Sequence, residues 1–176
     1  MTAELVFHIG DKVVYPNQGV GIIEQIGSRT LGSTVERFYL LRISGSSLRV
    51  MVPFHNVGVV GLRRVIRNGE VQKVLSYLTE FKCDNHTDWK CRFRENSEKM
   101  RTGSLMDVAA VLKSLLQLHQ TKPLSYREKK MLDRARYLLV SELSLARNGN
   151  ETEVETLITR ALAKSRLKFP EVTAEA

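Results

Sequence analysis

Lys12-Val13-Val14-Tyr15-Pro16-Asn17-Gln18-Gly19 decides how the N-terminal third of this chain is read. Four β-prone residues run into a Pro-Asn-Gln-Gly turn signal. Branched and aromatic side chains suit a pleated backbone, whereas proline and glycine interrupt it. Working outward, Val20 to Ile26 is the next strand, with Gly21 expected to mark a bulge or a close backbone approach. Gly27-Ser28 is expected to end that strand and Gly32-Ser33 to sit in the loop after it. Phe38 to Ile43 is a third strand, closed by Ser44-Gly45-Ser46-Ser47, and Leu48 to Val52 a fourth, stopped by Pro53.

Short strands joined by tight turns predict a small β barrel of SH3 or Tudor type over residues 1–62. After Val60 the apolar period changes from two to about 3.6. Val71, Val74, Leu75 and Leu78 form one helical face after Asn68-Gly69. Thr87 is expected to cap a helix from Asp88 towards Arg101, with Gly103 as its stop. Ser104 with Asp107 opens a helix that buries Val108, Val111, Leu112, Leu115 and Leu116. Ser125-x-x-Glu128 is a full capping box. It precedes a stripe of Met131, Leu132, Ala135, Leu138, Leu139 and Leu143 that ends at Asn148-Gly149. Val154, Leu157, Ile158, Ala161 and Leu162 make a last amphipathic helix. The expected architecture is α+β and multidomain: the barrel, an all-α bundle of about five helices over residues 63–168, and a frayed tail at 169–176.

The formal charge is +8 over 176 residues, and its location matters more than its size. Residues 1–60 carry five Lys/Arg against four Asp/Glu, residues 61–136 seventeen against nine, and residues 137–176 five against six. The entire excess lies in the central stretch. A basic zone inside a nearly neutral protein is the footprint of a phosphate-backbone binder, and solvated helix faces give the same count. No run approaches the ~18 apolar residues of a membrane span, and no secretory signal is visible at the N-terminus. Two cysteines, Cys83 and Cys91, fit a reducing cytoplasm better than a disulfide scaffold. The expected location is therefore cytoplasmic, with no membrane partner.

No phosphate-loop, dinucleotide or nucleophile-elbow glycine motif is present, and no catalytic residue is predicted. Cys83, His86 and Cys91 are the one cluster that zinc would accept. Their number and spacing match no usual structural site, so no metal and no other cofactor is expected. His8, His55 and His119 are isolated.

Asp88-Trp89-Lys90-Cys91-Arg92-Phe93-Arg94 is the informative segment of the helical half. The chain's one tryptophan lies in the first turn of a helix among Lys90, Arg92 and Arg94. Basic side chains hold phosphates, and a large ring can enter a minor groove or stack on an unpaired base for roughly 1–3 kcal/mol. Alternatively, Trp89 packs within its own bundle, with Phe93 one turn later. The capped helix at Ser125 adds Arg127, Lys129, Lys130 and Arg134, near an N-terminus that favours anions.

These residues together carry a resemblance. Phe7-x-x-Gly10-Asp11-Lys12-Val13-Val14-Tyr15-Pro16 with Gly19, then Trp89, then Leu124-Ser125 with Glu128-Lys129-Lys130-Met131-Leu132, resemble the CarD-type transcription regulators. The short form of that family is also called CdnL. Its N-terminal module is shared with the polymerase-interaction domain of transcription-repair coupling factors. The likeness runs from about Phe7 to Lys164. It implies a Tudor-like module that binds the β subunit of RNA polymerase, with Arg29 and Leu31, in the loop after the second strand, and Met51 in the contact region. Related sequences often have a basic residue in place of Met51. The resemblance further implies that Trp89 acts as a wedge at the upstream edge of melted promoter DNA, with Arg92, Arg94 and Lys129 on the backbone. Lys130 neighbours that set. Cys91 stands where a basic residue is common, and Lys90 is placed to substitute for it.

The implied function is a non-enzymatic regulator that binds polymerase and promoter DNA in the minor groove with little sequence specificity. Through polymerase it would be nucleoid-associated. The expected state is a monomer. A protein-interaction adaptor without direct DNA contact is the alternative, and an enzyme built on Cys83, His86 and Cys91 a third.

Overall fold

The computed structural model describes residues 6–81 and 88–171. Two compact units emerge: Met1–Val65 with Arg101–Gly103, and Ile66–Met100 with Ser104–Ala176.

The first unit is a five-stranded antiparallel sheet in the order β4-β3-β2-β1-β5. Its strands are β1 (Lys12–Tyr15), β2 (Gly19–Leu31), β3 (Thr34–Ile43), β4 (Arg49–Pro53) and β5 (Arg63–Arg64). A 3-10 turn at Phe54–Asn56 and a short helix α1 (Val57–Val60) link the last two strands. Phe7, Val13, Ile23, Tyr39, Leu41, Val52, Val57 and Leu62 form the core. Tyr39 organises it, stacking on Phe54 at 4.3 Å, meeting Phe7 edge-on at 5.6 Å and accepting the Phe7 amide through its hydroxyl. In the β1–β2 turn Asn17 has φ 64°, a conformation its short polar side chain tolerates.

Gly21 marks a close approach: a Cβ there would lie 3.0 Å from the Arg42 carbonyl oxygen. The bulge falls three residues later, where the register shifts between Ile23 and Gln25. The extra residue, Glu24, pairs its carboxylate with Arg49 at 3.0 Å. Contrary to the sequence expectation, β2 does not stop at Gly27-Ser28. It continues to Leu31, and only Gly32-Ser33 turns the chain. The reason is Phe38, opposite Gly27, whose ring fills the space a Cβ would need. Here glycine seats an aromatic ring on the neighbouring strand.

Strand β5 was not expected from the sequence, and it closes the N-terminus onto the sheet. Arg64 bonds Asp11 Oδ2 at 3.3 Å and the Val6 carbonyl at 2.9 Å, and its guanidinium lies 5.3 Å from the Phe7 ring centroid. The His8 amide and then Arg64 hold the Asp11 carboxyl below the usual carboxylate range.

Five helices follow the sheet, as expected: α2 (Asn68–Thr79), α3 (Trp89–Thr102), α4 (Leu105–Thr121), α5 (Tyr126–Arg147) and α6 (Glu151–Lys164). Helices α2, α4, α5 and α6 share one core, with Leu78, Leu112, Leu116, Leu139, Leu143, Ile158 and Leu162 among its fully buried side chains. Among the described side chains, α3 contributes only Met100 to that core. The Ser125–Glu128 box is present in both directions, at 2.8 and 3.3 Å. Ser104 caps α4 weakly, at 3.5 Å from the Asp107 amide. Asn150 caps α6, and Asn148 ends α5 in the left-handed region at φ 52°. Beyond α6, Leu167 is buried and Phe169 lies under the Arg136 guanidinium at 4.3 Å. Residues 172–176 of the expected tail lie outside the described residues. No helix among the described residues is long and apolar enough to cross a membrane.

Candidate nucleic-acid and protein interfaces

Helix α3 begins at Trp89, and the Asp88 side chain bonds its first turn. The Asp88 side chain accepts from the Lys90 amide at 3.0 Å, and its carbonyl accepts from the Arg92 amide at 3.0 Å. An aspartate here satisfies an orphan amide and complements the positive end of the helix dipole. The expected cap, Thr87, lies outside the described residues, as do Cys83 and His86 of the metal reading. Lys90 and Arg94 are exposed, while Cys91, Arg92 and Phe93 are half-buried. Lys90 and Arg94 are four residues apart and so share a face. Asn96 and Met100 are its buried side chains among those described.

The basic residues of α5 have a different setting. Arg127, Lys129, Lys130 and Arg134 are exposed, opposite the buried stripe Glu128, Leu132, Ala135, Leu138 and Leu139. Tyr126, which the sequence reading passed over, is 70 % exposed, and Lys130 Nζ stands 4.7 Å from its ring centroid. Trp89, Lys90, Arg92 and Arg94 thus belong to one helix and Lys129 and Lys130 to another.

In the first unit, Arg29 and Leu31 lie in β2 itself rather than in a loop, because the strand extends past Ser28. Arg29 opposes Glu36, Leu31 opposes Thr34, and Met51 of β4 opposes Leu40. By strand alternation all three fall on the side of the sheet away from Tyr39, Leu41 and Val52. They are spread along it: six residues separate Thr34 from Leu40 on β3, about 20 Å. Leu31 and Met51 are 53 % and 45 % exposed. Arg29 is held by Glu36, with Nε and Nη2 at 2.9 and 2.7 Å from the same carboxylate oxygen, while His55 Nδ1 lies 3.4 Å from the other.

Beyond Phe38, the β2–β3 ribbon pairs only with itself, because β1 reaches Ile22 of β2 and β4 stops opposite Phe38. The β2 edge of its last four residue pairs has no strand partner among the described residues and is available for strand addition, whereas the Phe54–Asn56 turn packs against the β3 side through His55 on Glu36 and Phe54 under Arg37. Leu31, Val35, Phe54 and His55 line an open concavity of about 530 Å³ at this end. Among the described residues no His/Cys/Asp/Glu group could hold a metal ion.

Comparison with known proteins finds two matching family models. Residues 7–66 match the CarD-like/TRCF RID domain, and residues 73–159 match the CarD C-terminal domain. A curated Bacillus subtilis protein, YdeB, named as a candidate transcription factor, is 31 % identical over 150 residues, covering 85 % of this chain and 98 % of its own. Among solved structures, the CdnLNt chain of Myxococcus xanthus is 41 % identical, covers 38 % of this chain and 93 % of its own, and superposes with a TM-score of 0.31.

Proposed function

The chain belongs to the CarD family of transcription regulators, and from that membership we propose that it tethers itself to RNA polymerase and stabilises open promoter complexes without catalysing a reaction. The observation that carries this reading is one chain joining a polymerase-interaction-type domain to a helical domain whose capped, basic helix opens at the sole tryptophan.

The first unit would meet the polymerase β subunit through the open end of the β2–β3 ribbon. Main-chain groups at the free edge would supply affinity there, with Arg29 and Leu31 providing selectivity and Met51 on the same sheet face. Tethering raises the effective concentration of the second unit at the promoter, so weak DNA contacts suffice. Lys90, Arg92, Arg94, Lys129 and Lys130 supply backbone contacts. Trp89 acts as the wedge at the upstream edge of the bubble. It reads minor-groove width more than sequence, because the minor-groove pattern is degenerate. A monomer suffices for this mechanism.

A wedge that favours the open over the closed state by about 1.4 kcal/mol changes their ratio tenfold. The test is the lifetime of open complexes formed by cognate polymerase, with wild-type protein and with Trp89→Ala. The wild type prolongs the lifetime and the variant largely does not. Equal lifetimes with polymerase binding intact would favour an adaptor that does not touch DNA.

A further inference from the structure

The open end of the β2–β3 ribbon differs on its two sides. The β2 side is a bare strand edge. On the β3 side the Phe54–Asn56 turn meets the ribbon, and residues from both form the concavity of about 530 Å³. Leu31, Val35 and Phe54 give it an apolar wall, and Leu31 and Val35 are 53 % and 66 % exposed.

The charges of this concavity do not cancel. Its one carboxylate, Glu36, is already engaged, by Arg29 on one oxygen at 2.9 and 2.7 Å and by His55 Nδ1 at 3.4 Å from the other. Arg37 is exposed, and no carboxylate among the described residues pairs with it. Its guanidinium lies over the Phe54 ring at 4.8 Å from the centroid, and Phe54 stacks on Tyr39 of the core at 4.3 Å. Arg37 and Tyr39 are two residues apart on β3 and so share a face, which brings both to that ring. A guanidinium resting on an aromatic ring has less rotamer freedom left to lose on binding, and its planar fork suits a carboxylate.

We propose that the concavity is a second docking point for the polymerase β subunit, taking an apolar side chain against Leu31, Val35 and Phe54 and a neighbouring carboxylate on Arg37. The proposal rests on the polymerase reading for the identity of the partner and adds the chemistry of the segment recognised. One partner can reach both sides of the ribbon, because two strands span only ~10 Å across. Leu31 belongs to the β2 end and lines the concavity as well. Strand addition supplies main-chain bonds that most sequences can make, and the concavity adds selection for an apolar–acidic pair.

The test measures the affinity of the full chain for cognate polymerase, with substitutions that read the sign of the occupant. Val35 is exposed at the end of the ribbon and is no part of the core of its unit. Val35→Asp puts a carboxylate beside the partner's own and is expected to weaken binding by about tenfold or more. Val35→Lys loses the same apolar contact but adds an attractive charge, and stays within about threefold of wild type. Arg37→Gln weakens binding by about tenfold, the loss that marks an anchoring arginine, and makes it less sensitive to salt. Arg37→Lys keeps the charge without the fork and falls between the two.

Equal losses from Val35→Asp and Val35→Lys would overturn the proposal, because they read lost apolar contact and no charge. Wild-type affinity in Arg37→Gln would do the same. If the wild-type chain does not bind polymerase, the polymerase reading fails and this one with it. If it binds and every variant matches it, only the concavity is lost. Should Arg37→Gln lower the melting temperature by loosening Phe54, the opposed Val35 pair decides.

Discussion

Helices α3 and α5 carry similar basic side chains and are built into the protein in opposite ways. Helix α5 is the scaffold. Nine of its 22 residues are buried, its N-terminus has a reciprocal capping box, and it packs on α2, α4 and α6. Helix α3 is an attachment, with Asn96 and Met100 buried among its described side chains and an aspartate cap at its start. Charge therefore says little about anchoring. The buried stripe opposite the charges decides how deeply a basic helix is embedded in the core.

The contrast is broken most directly by removing core volume. Leu139→Ala, in the fully buried stripe of α5, is expected to cost about 2–5 kcal/mol in urea unfolding of the second unit. Loss of less than about 1 kcal/mol would mean that α5 is no scaffold. A smaller effect separates the two sets of charges. Arg92→Ala with Arg94→Ala is expected to reduce the logarithmic salt slope of promoter-complex affinity by about two, with stability changed by less than about 0.5 kcal/mol. The same measurement on Lys130→Ala with Arg134→Ala tests whether α5 also tracks phosphates. An unchanged slope for both pairs would point to a surface that is only solvated.

Removing the caps gives a finer comparison. Ser125→Ala and Asp88→Ala should each cost about 1 kcal/mol, but in different readouts. The first lowers global stability, and the second appears as faster amide exchange within α3 alone. A global loss from Asp88→Ala would show that α3 is part of the cooperative core.

The smallest expected effect is a control outside both helices. The folded-state carboxyl of Asp11 is held low, so its stabilising contribution is complete above the ordinary aspartate range near ~3.9 and is lost as pH falls through its lowered value. The melting-temperature difference between wild type and Asp11→Asn should therefore shrink between pH 6 and pH 3. A constant difference would remove the Arg64–Asp11 clasp from the stability of the first unit.

Much of this was legible because it is encoded locally. The apolar period marked five helices, and the Ser125–Glu128 box and Asn148-Gly149 bracketed α5 closely. The resemblance selected Arg29, Leu31 and Met51, which strand alternation then puts on one face of the sheet. The reading went astray where a residue answered to a distant neighbour. Gly27 looked like a strand end and is the seat of Phe38 from the opposite strand. Arg29 was assigned to a loop for the same reason. The partnership of Glu36 with both Arg29 and His55 could not be seen from spacing.

By itself, then, the sequence determined element types, most helix boundaries, the two-part organisation and the family. Periodicity and capping act over three to eleven residues of one chain segment. Only the tertiary structure decided which basic helix is embedded, how far the β2–β3 ribbon extends, and where α2 stops. Those outcomes turn on burial and on partners distant in sequence, as when Lys113 bonds carbonyls 33 and 36 residues earlier in the chain. A desolvated ammonium needs those carbonyls wherever the fold brings them, and no local pattern records where that is.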